Sequence, residues 1–347
     1  MVIIIGAGLS GLLTAYHLKN AGIPFKVLEA RDRIGGRILT VRGKSNSPVE
    51  MGATWFNPQH QLLIKLLEEL NISFFEQYMK GTAFYQPVSS VPADAIQIPQ
   101  QVPSYRISGG TNLLITNLYE KLDKDDVLLN ESVKKIKNRN DSVLVEANDY
   151  YQAKMVVLAL PPKLWANTIS FEPNLPDDLM GIAQGTQTWM EDSIKVALVY
   201  EKPFWRGENQ SGTFFSNAGP VTEFYDHCNA DASKYSLCGF VNSNYKGLSI
   251  KERKNAIIDQ LKMAFGEEVT SFIEYTEFIW SEDKNTFYPS KEFLFPHQNN
   301  GNPVFDKDQF DNRLLFSSTE VSPHFGGYME GAVYLANETA KRIIQNF

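Results

Sequence analysis

Residues 1–22 read MVIIIGAGLSGLLTAYHLKNAG. The run "VIII" is too short for a helix and rich in β-branched residues, so it predicts a strand. Leu12, Leu13, Ala15, Tyr16 and Leu18 then follow helical spacing, and Gly22 ends the helix. Between strand and helix stands Gly6-x-Gly8-x-x-Gly11. PFKVLEA, at 24–30, is a second strand. Strand, glycine turn, helix, strand is a βαβ unit, hence the start of a parallel sheet.

In such a turn one glycine makes the bend, one lets the backbone approach a pyrophosphate, and one lets helix and strand pack closely. The helix N-terminus adds free N–H groups and the positive end of a dipole. Glu29 stands 18 positions after Gly11, at the end of the second strand. An acid there binds ribose hydroxyls, which disfavours a 2′-phosphate and points to a dinucleotide other than NADP. The chain continues EARDRIGGRILT, 29–40. Gly35 and Gly36 form a backbone-exposed turn flanked by Arg31 and Arg37, residues suited to a phosphate-bearing ligand.

Composition sets outer bounds. The 347 residues are 43% hydrophobic and 21% charged, with net charge −7. That is a globular composition with ample core, and an acidic chain argues against nucleic-acid binding. Cys228 and Cys238 form no disulfide framework or zinc motif, which suits reduced thiols and a cytoplasmic location. His17, His60, His227, His297 and His324 have no metal-like spacing, so no metal site is expected. No signal peptide is expected ahead of the first strand, no membrane span, and no anchoring tail after the last helix.

Further along, 57–71 predicts an amphipathic helix between Pro58 and Asn71. Residues 81–103, rich in Pro, Ser and Gln, predict a loop-like excursion. A glycine turn at 109–110 leads into another helix. Short strands fill 126–162, and KMVVLAL (154–160) is apolar enough for burial on both faces. Residues 173–290 change character to a mostly antiparallel region. It holds SIKVALVY (193–200), further strands, and one helix capped by Ser249 and stopped by Gly266. The late strand NRLLFSSTE (312–320) returns most economically to the first sheet. Two domains are expected: a discontinuous nucleotide domain from 1–60, 105–172 and 288–347, and a substrate domain from 61–104 and 173–287.

GAGLSGL, LEARDRIGGR, EMGATW, DSIKVALVYEKPFWR and GYMEGAV occur in that order. Together they resemble the flavin-dependent amine oxidase family, which includes monoamine and polyamine oxidases, from end to end of the chain. The resemblance implies an α/β fold with an α+β second domain: a Rossmann-like FAD-binding domain of the glutathione-reductase type beside a mixed-sheet substrate domain. It implies Gly6, Gly8 and Gly11 along the pyrophosphate, and Glu29, with Ala30 and Arg31, at the adenosine ribose. Gly35, Gly36 and Arg37 would line the phosphate and ribityl path. Gly52, Ala53, Thr54 and Trp55 would lie against the flavin ring, with Trp280 nearby. The Val133 backbone would meet the adenine, Glu320 the ribityl chain, and Gly327, Tyr328 and Met329 the isoalloxazine.

Lys195 would stand beside flavin N(5), through a water, and Tyr328 would be one wall of an aromatic cage for the amine. Phe287 and Tyr288 are the candidates for the opposite wall. The glycine–cysteine pair that carries covalent flavin in monoamine oxidases is absent, so non-covalent FAD is expected. The implied partners are a small amine and dioxygen, and a homo-oligomer is compatible. Two alternatives stay open: a dehydrogenase or desaturase using another acceptor, and a non-catalytic flavin-bound interaction protein. The excursion after residue 60 is far smaller than in the animal enzymes, which leaves the size of the substrate open.

Overall fold

The computed structural model describes residues 1–89, 91–99, 101–290 and 292–347. The opening run folds as read. Strand β1 (Val2–Ile5) leads through the glycine turn into helix α1 (Leu9–Asn20), and β2 (Phe25–Leu28) lies beside β1. A parallel sheet grows from this pair, in the order Leu314–Phe316, Met155–Leu158, β1, β2, Val127–Leu128. Every residue of β1 and of Met155–Leu158 is buried, because helices or a second layer cover both faces. On one face α1 packs with the last helix, Met329–Asn346, through Leu12, Ala15, Val333 and Ala336. On the other lies a four-stranded sheet from 135–172, which contributes Ile136 and Val145. Parallel pairing requires long crossovers, so strands as distant as 2–5, 155–158 and 314–316 end as neighbours.

A seven-stranded sheet forms the second body. Its order is Glu274–Ile279, Ile194–Tyr200, Tyr235–Val241, Val221–Asp226, Gln210–Ser216, Thr82–Gln86, Asp94–Gln97. The helix Ile250–Phe265 covers one face. Its Ser249 cap and Glu252 form a reciprocal capping box, and Gly266 adopts φ +73°.

Residues 81–103 correct the loop-like expectation. Thr82–Gln86 and Asp94–Gln97 are an antiparallel hairpin, and Thr82–Gln86 pairs in parallel with Gln210–Ser216. Ala83 and Gln86 are buried against the sheet, whereas the Pro- and Ser-rich signal belongs to the connection between the two strands. Ser90 and Gln100, within that excursion, lie outside the described residues, as does Lys291.

The strand Ile194–Tyr200, second from one edge, is buried at every position, so its alternation sorts two cores rather than core from solvent. Ile194, Val196 and Leu198 pack towards the 250–265 helix. Lys195, Ala197 and Val199 share the opposite face, and Ala197 and Val199 meet Val49 and Met51 of the first body. The lysine therefore faces the seam between the two bodies. Among the described residues no helix is long and apolar enough to cross a membrane.

Candidate functional site

The glycine turn is shaped by close packing. A Cβ on Gly11 would lie 2.0 Å from the Gly6 carbonyl oxygen, so Gly11 is where helix and strand touch. Gly6 adopts φ +106°, open to glycine and strained for other residues. Gly8 bridges to Gly35, and the Gly35 N–H donates to the Ala7 carbonyl at 2.8 Å. The two glycine-rich turns thus lie against each other. Gly11→Ala should destabilise the protein by about 2 kcal/mol through overpacking, read as a lowered chemical-denaturation midpoint.

Gly8 is the N-cap of α1 and no side chain satisfies the helix terminus, which leaves its N–H groups available to an anion. Glu29 is buried beside it. Its carboxylate accepts from the Ala7 N–H at 2.8 Å and the Arg31 N–H at 3.0 Å, which fixes it at the end of β2.

A continuous cavity of about 360 Å³ runs from this turn to Tyr328. At the near end it is lined by Gly6, Gly8, Glu29 and Arg31. Gly35, Gly36 and Arg37 line its middle. Gly52, Ala53, Thr54 and Trp55 form the far floor, with Lys195, Trp280, Gly327, Tyr328 and Met329 around them. The cavity fits an elongated dinucleotide: an anion cradle in the middle, an acid for ribose at one end, and an apolar floor with one buried cation at the other.

Lys195 is 2% exposed. Its Nζ donates to the Gly52 carbonyl at 2.7 Å and to Thr54 Oγ1, and lies 4.8 Å from the Trp55 ring centroid and 5.1 Å from that of Phe240. Burial holds its pKa below the ordinary lysine range, partly opposed by acidic groups that include Glu50 and Glu223. An ammonium has three donors, and two are committed to the floor. Tyr328 is the N-cap residue of the last helix, and its carbonyl accepts from Thr319 Oγ1 at 2.6 Å.

Several expected residues sit outside the cavity wall. Gly11 packs beneath the turn. Ala30 follows Glu29 without reaching the cavity. Val133 is buried in the core shared with Ile3, Ile5 and Leu28. Glu320 is fully buried behind Arg37, which donates to both of its oxygens at 2.6 and 3.0 Å, so it orients the arginine that does line the cavity.

Among the described residues neither Phe287 nor Tyr288 has its ring beside that of Tyr328, which corrects the expected opposite wall. The Phe287 N–H donates to the Asp283 carbonyl at 2.8 Å, and Asp283 pairs with Arg31 at the Glu29 end of the cavity. The Phe287 ring lies 5.5 Å from Lys163 Nζ. The rings beside Tyr328 are instead His60 and Trp189, each 5.8 Å away, and His297, 5.5 Å away and nearly parallel. His297 also stacks on Trp189 at 4.1 Å. Local sequence carries no signal for this cluster, because its members come from four separate segments.

Glu223 and Phe240, which also line the cavity, were not legible either. Phe240 pairs directly with Lys195 on one side and Glu223 on the other. Lys195, Phe240 and Glu223 therefore form one cross-strand row, which pairing register alone creates. The Tyr225 hydroxyl donates to Glu223 Oε2 at 2.5 Å. Among the described residues, Glu29 and Glu223 are the carboxylates of the cavity wall.

Comparison with known proteins accords with this geometry. A family model described as flavin-containing amine oxidoreductase matches residues 9–105 and 99–344. Amine oxidase [flavin-containing] B of Sus scrofa is 24% identical over 455 aligned positions, covering 99% of this chain and 86% of that protein. The probable flavin-containing monoamine oxidase A of Dictyostelium discoideum is 22% identical, covering 99% and 97%. Among solved structures, putrescine oxidase bound to putrescine superposes with a TM-score of 0.87 at 25% identity, covering 99% of each chain. Cyclohexylamine oxidase from Brevibacterium oxydans shares the fold, with a TM-score of 0.86 at 20% identity.

Proposed function

Because the chain belongs to the flavin-containing amine oxidoreductase family, and so oxidises an amine with FAD, we propose that its substrate carries a second cationic group, as in an α,ω-diamine. We further propose that dioxygen is the electron acceptor. The observation that carries the substrate reading is the Lys195–Phe240–Glu223 row. It sets a carboxylate in the wall on the amine side of the cavity, next to the aromatic surface of Trp55 and Phe240. A monoamine has no second cation for that carboxylate to pair with. The likeness to putrescine oxidase, solved with putrescine, supports the same class.

FAD, when bound, accepts the hydride from the amine α-carbon, so the protein needs no acid–base triad for that step. The work of the chain is binding, orientation and exclusion of water. The α1 terminus, Gly8 and the Gly35–Gly36 turn hold the anionic middle of the cofactor without covalent attachment, and Glu29 holds the ribose. Cys228 and Cys238 are free and buried, and burial pushes the Cys228 thiol up to about 12. Neither lines the cavity, in keeping with non-covalent flavin.

At the other end Glu223 anchors the distal ammonium by a charge-assisted hydrogen bond. The Tyr225 hydroxyl keeps that carboxylate turned. Trp55, Phe240 and Tyr328 supply apolar walls that guide the reacting carbon and keep water out. Lys195 keeps one N–H for a water or an oxygen species near the floor. The imine product hydrolyses to an aldehyde and ammonia, and the two electrons taken from the amine would pass by way of the bound cofactor to dioxygen, giving hydrogen peroxide.

Anaerobic mixing of the holoenzyme with a panel of monoamines and α,ω-diamines tests this. Bleaching of the flavin band is expected with a diamine at concentrations where the matched monoamine is inert. Equal bleaching by both removes the diamine reading. Bleaching by a non-amine alone points to dehydrogenation of a C–C bond.

A further inference from the structure

Arg31 follows the ribose-binding acid and was expected to serve the cofactor directly. Four of its five N–H donors are already engaged by protein. Nη1 donates to Glu29 Oε1 at 3.3 Å, Nε and Nη2 to the two oxygens of Asp283 at 3.3 and 2.9 Å, and Nη2 also to Thr286 Oγ1 at 2.7 Å. The ion pair is well covered, with the Arg31 and Asp283 side chains 11% and 12% exposed. Arg31 is therefore a brace between the end of β2 and a segment about 250 positions later in the chain.

That segment is fastened at both ends. The Trp280 indole N–H donates to the Met51 carbonyl at 2.7 Å, directly before the Gly52 floor. Asp283 then organises a tight turn. Its Oδ1 accepts from the Asn285 N–H at 2.9 Å, and its carbonyl accepts from the Thr286 and Phe287 N–H groups at 3.0 and 2.8 Å. The turn presents Asn285 and Thr286 to the same cavity that Glu29 lines. Thr286 is 2% exposed. Its oxygen accepts from Arg31, which leaves its proton for an acceptor in the cavity. The Asn285 side chain has no protein hydrogen-bond partner among the described residues.

We propose that Trp280–Phe287 is a second grip on the dinucleotide, in which Asn285 and Thr286 contact its ribose–phosphate half. Asp283 is the positioning residue that latches this segment to Arg31. The glycine turn holds the cofactor from the first body, and this segment closes the same half from the second. A bound dinucleotide then joins the two bodies, and its release requires the Arg31–Asp283 latch to part. The inference rests on the dinucleotide site and is independent of the substrate reading.

The test is the rate of FAD release from the holoenzyme, followed as free-flavin fluorescence after dilution into flavin-free buffer. Asp283→Asn removes the charge of the latch. Thr286→Val removes the hydroxyl while leaving the ion pair in place. Each should release FAD about tenfold faster or more, the loss expected for one charge-assisted or buried hydrogen bond. The melting temperature of the Thr286→Val apoprotein should stay near that of the parent, because the contact at issue is with the cofactor, whereas Asp283→Asn breaks a covered ion pair and lowers it as well. A release rate within about twofold of the parent in either variant overturns the proposal, as does faster release from Thr286→Val matched by an equal loss of apoprotein stability.

Discussion

Glu223→Gln should lower kcat/KM for an α,ω-diamine by about 100-fold, the effect of leaving one buried ammonium without its carboxylate. A monoamine of the same chain length should change by no more than about threefold, because it makes no contact that depends on the charge. The substitution preserves shape and keeps an acceptor for the Tyr225 hydroxyl. Most of the loss should appear in KM if the distal contact is equally strong in ground and transition states. The rival role for Glu223 is a counter-ion to Lys195, whose pKa it helps to raise against burial. In that case both substrates would suffer alike, and the diamine reading would fall. Steady-state kinetics on the two amines separates the outcomes.

Lys195→Met should slow oxidation of the reduced enzyme by dioxygen by about 100-fold, the scale for removing one preorganised donor from a water-poor site. Anaerobic reduction by the amine should change far less, so stopped-flow traces of the two half-reactions should diverge. Equal losses in both would assign the lysine to substrate positioning alone.

The same variant carries a stability signature. Burial lowers the native pKa of Lys195 from 10.5. Between the native value and 10.5 the unfolded chain binds a proton that the native state does not, so stability rises with pH across that window. Below the window both states are protonated, and the native state bears the full cost of a buried charge. Lys195→Met should flatten that slope and leave the apoprotein at least as stable near neutral pH, since a buried ion replaced by an apolar chain of similar volume is often neutral or stabilising. Denaturation midpoints measured across pH read this directly.

The cofactor half of the site was largely legible because its signals are contiguous. Gly6, Gly8, Gly11 and Glu29 fall within one βαβ unit, where each position follows from helix and strand geometry. The structure brings the distant Gly52–Trp55 and Gly327–Met329 stretches to that same cavity. The substrate half was legible only at Lys195, where a charge interrupts an apolar strand. Glu223 looked like any polar residue on a short strand. The opposite wall was sought at Phe287 and Tyr288 by position along the chain, but the Asp283 turn ties that segment to Arg31. The hairpin within 81–103 was hidden by the composition of its connection, although Ala83 and Gln86 are buried in a sheet.

The sequence by itself determined the βαβ start, the dinucleotide cradle, the capped 250–265 helix and the buried lysine strand. All of these depend on residues within about one element of each other, where backbone sterics and hydrophobic period decide the outcome. Only the tertiary structure decided which strands share the seven-stranded sheet and in what register. Register placed Lys195, Phe240 and Glu223 in one row. Long-range ion pairing placed Asp283 and Thr286 against Arg31, beside Glu29. Both are choices among alternative pairings of distant segments, settled by the burial of whole faces rather than by any local preference.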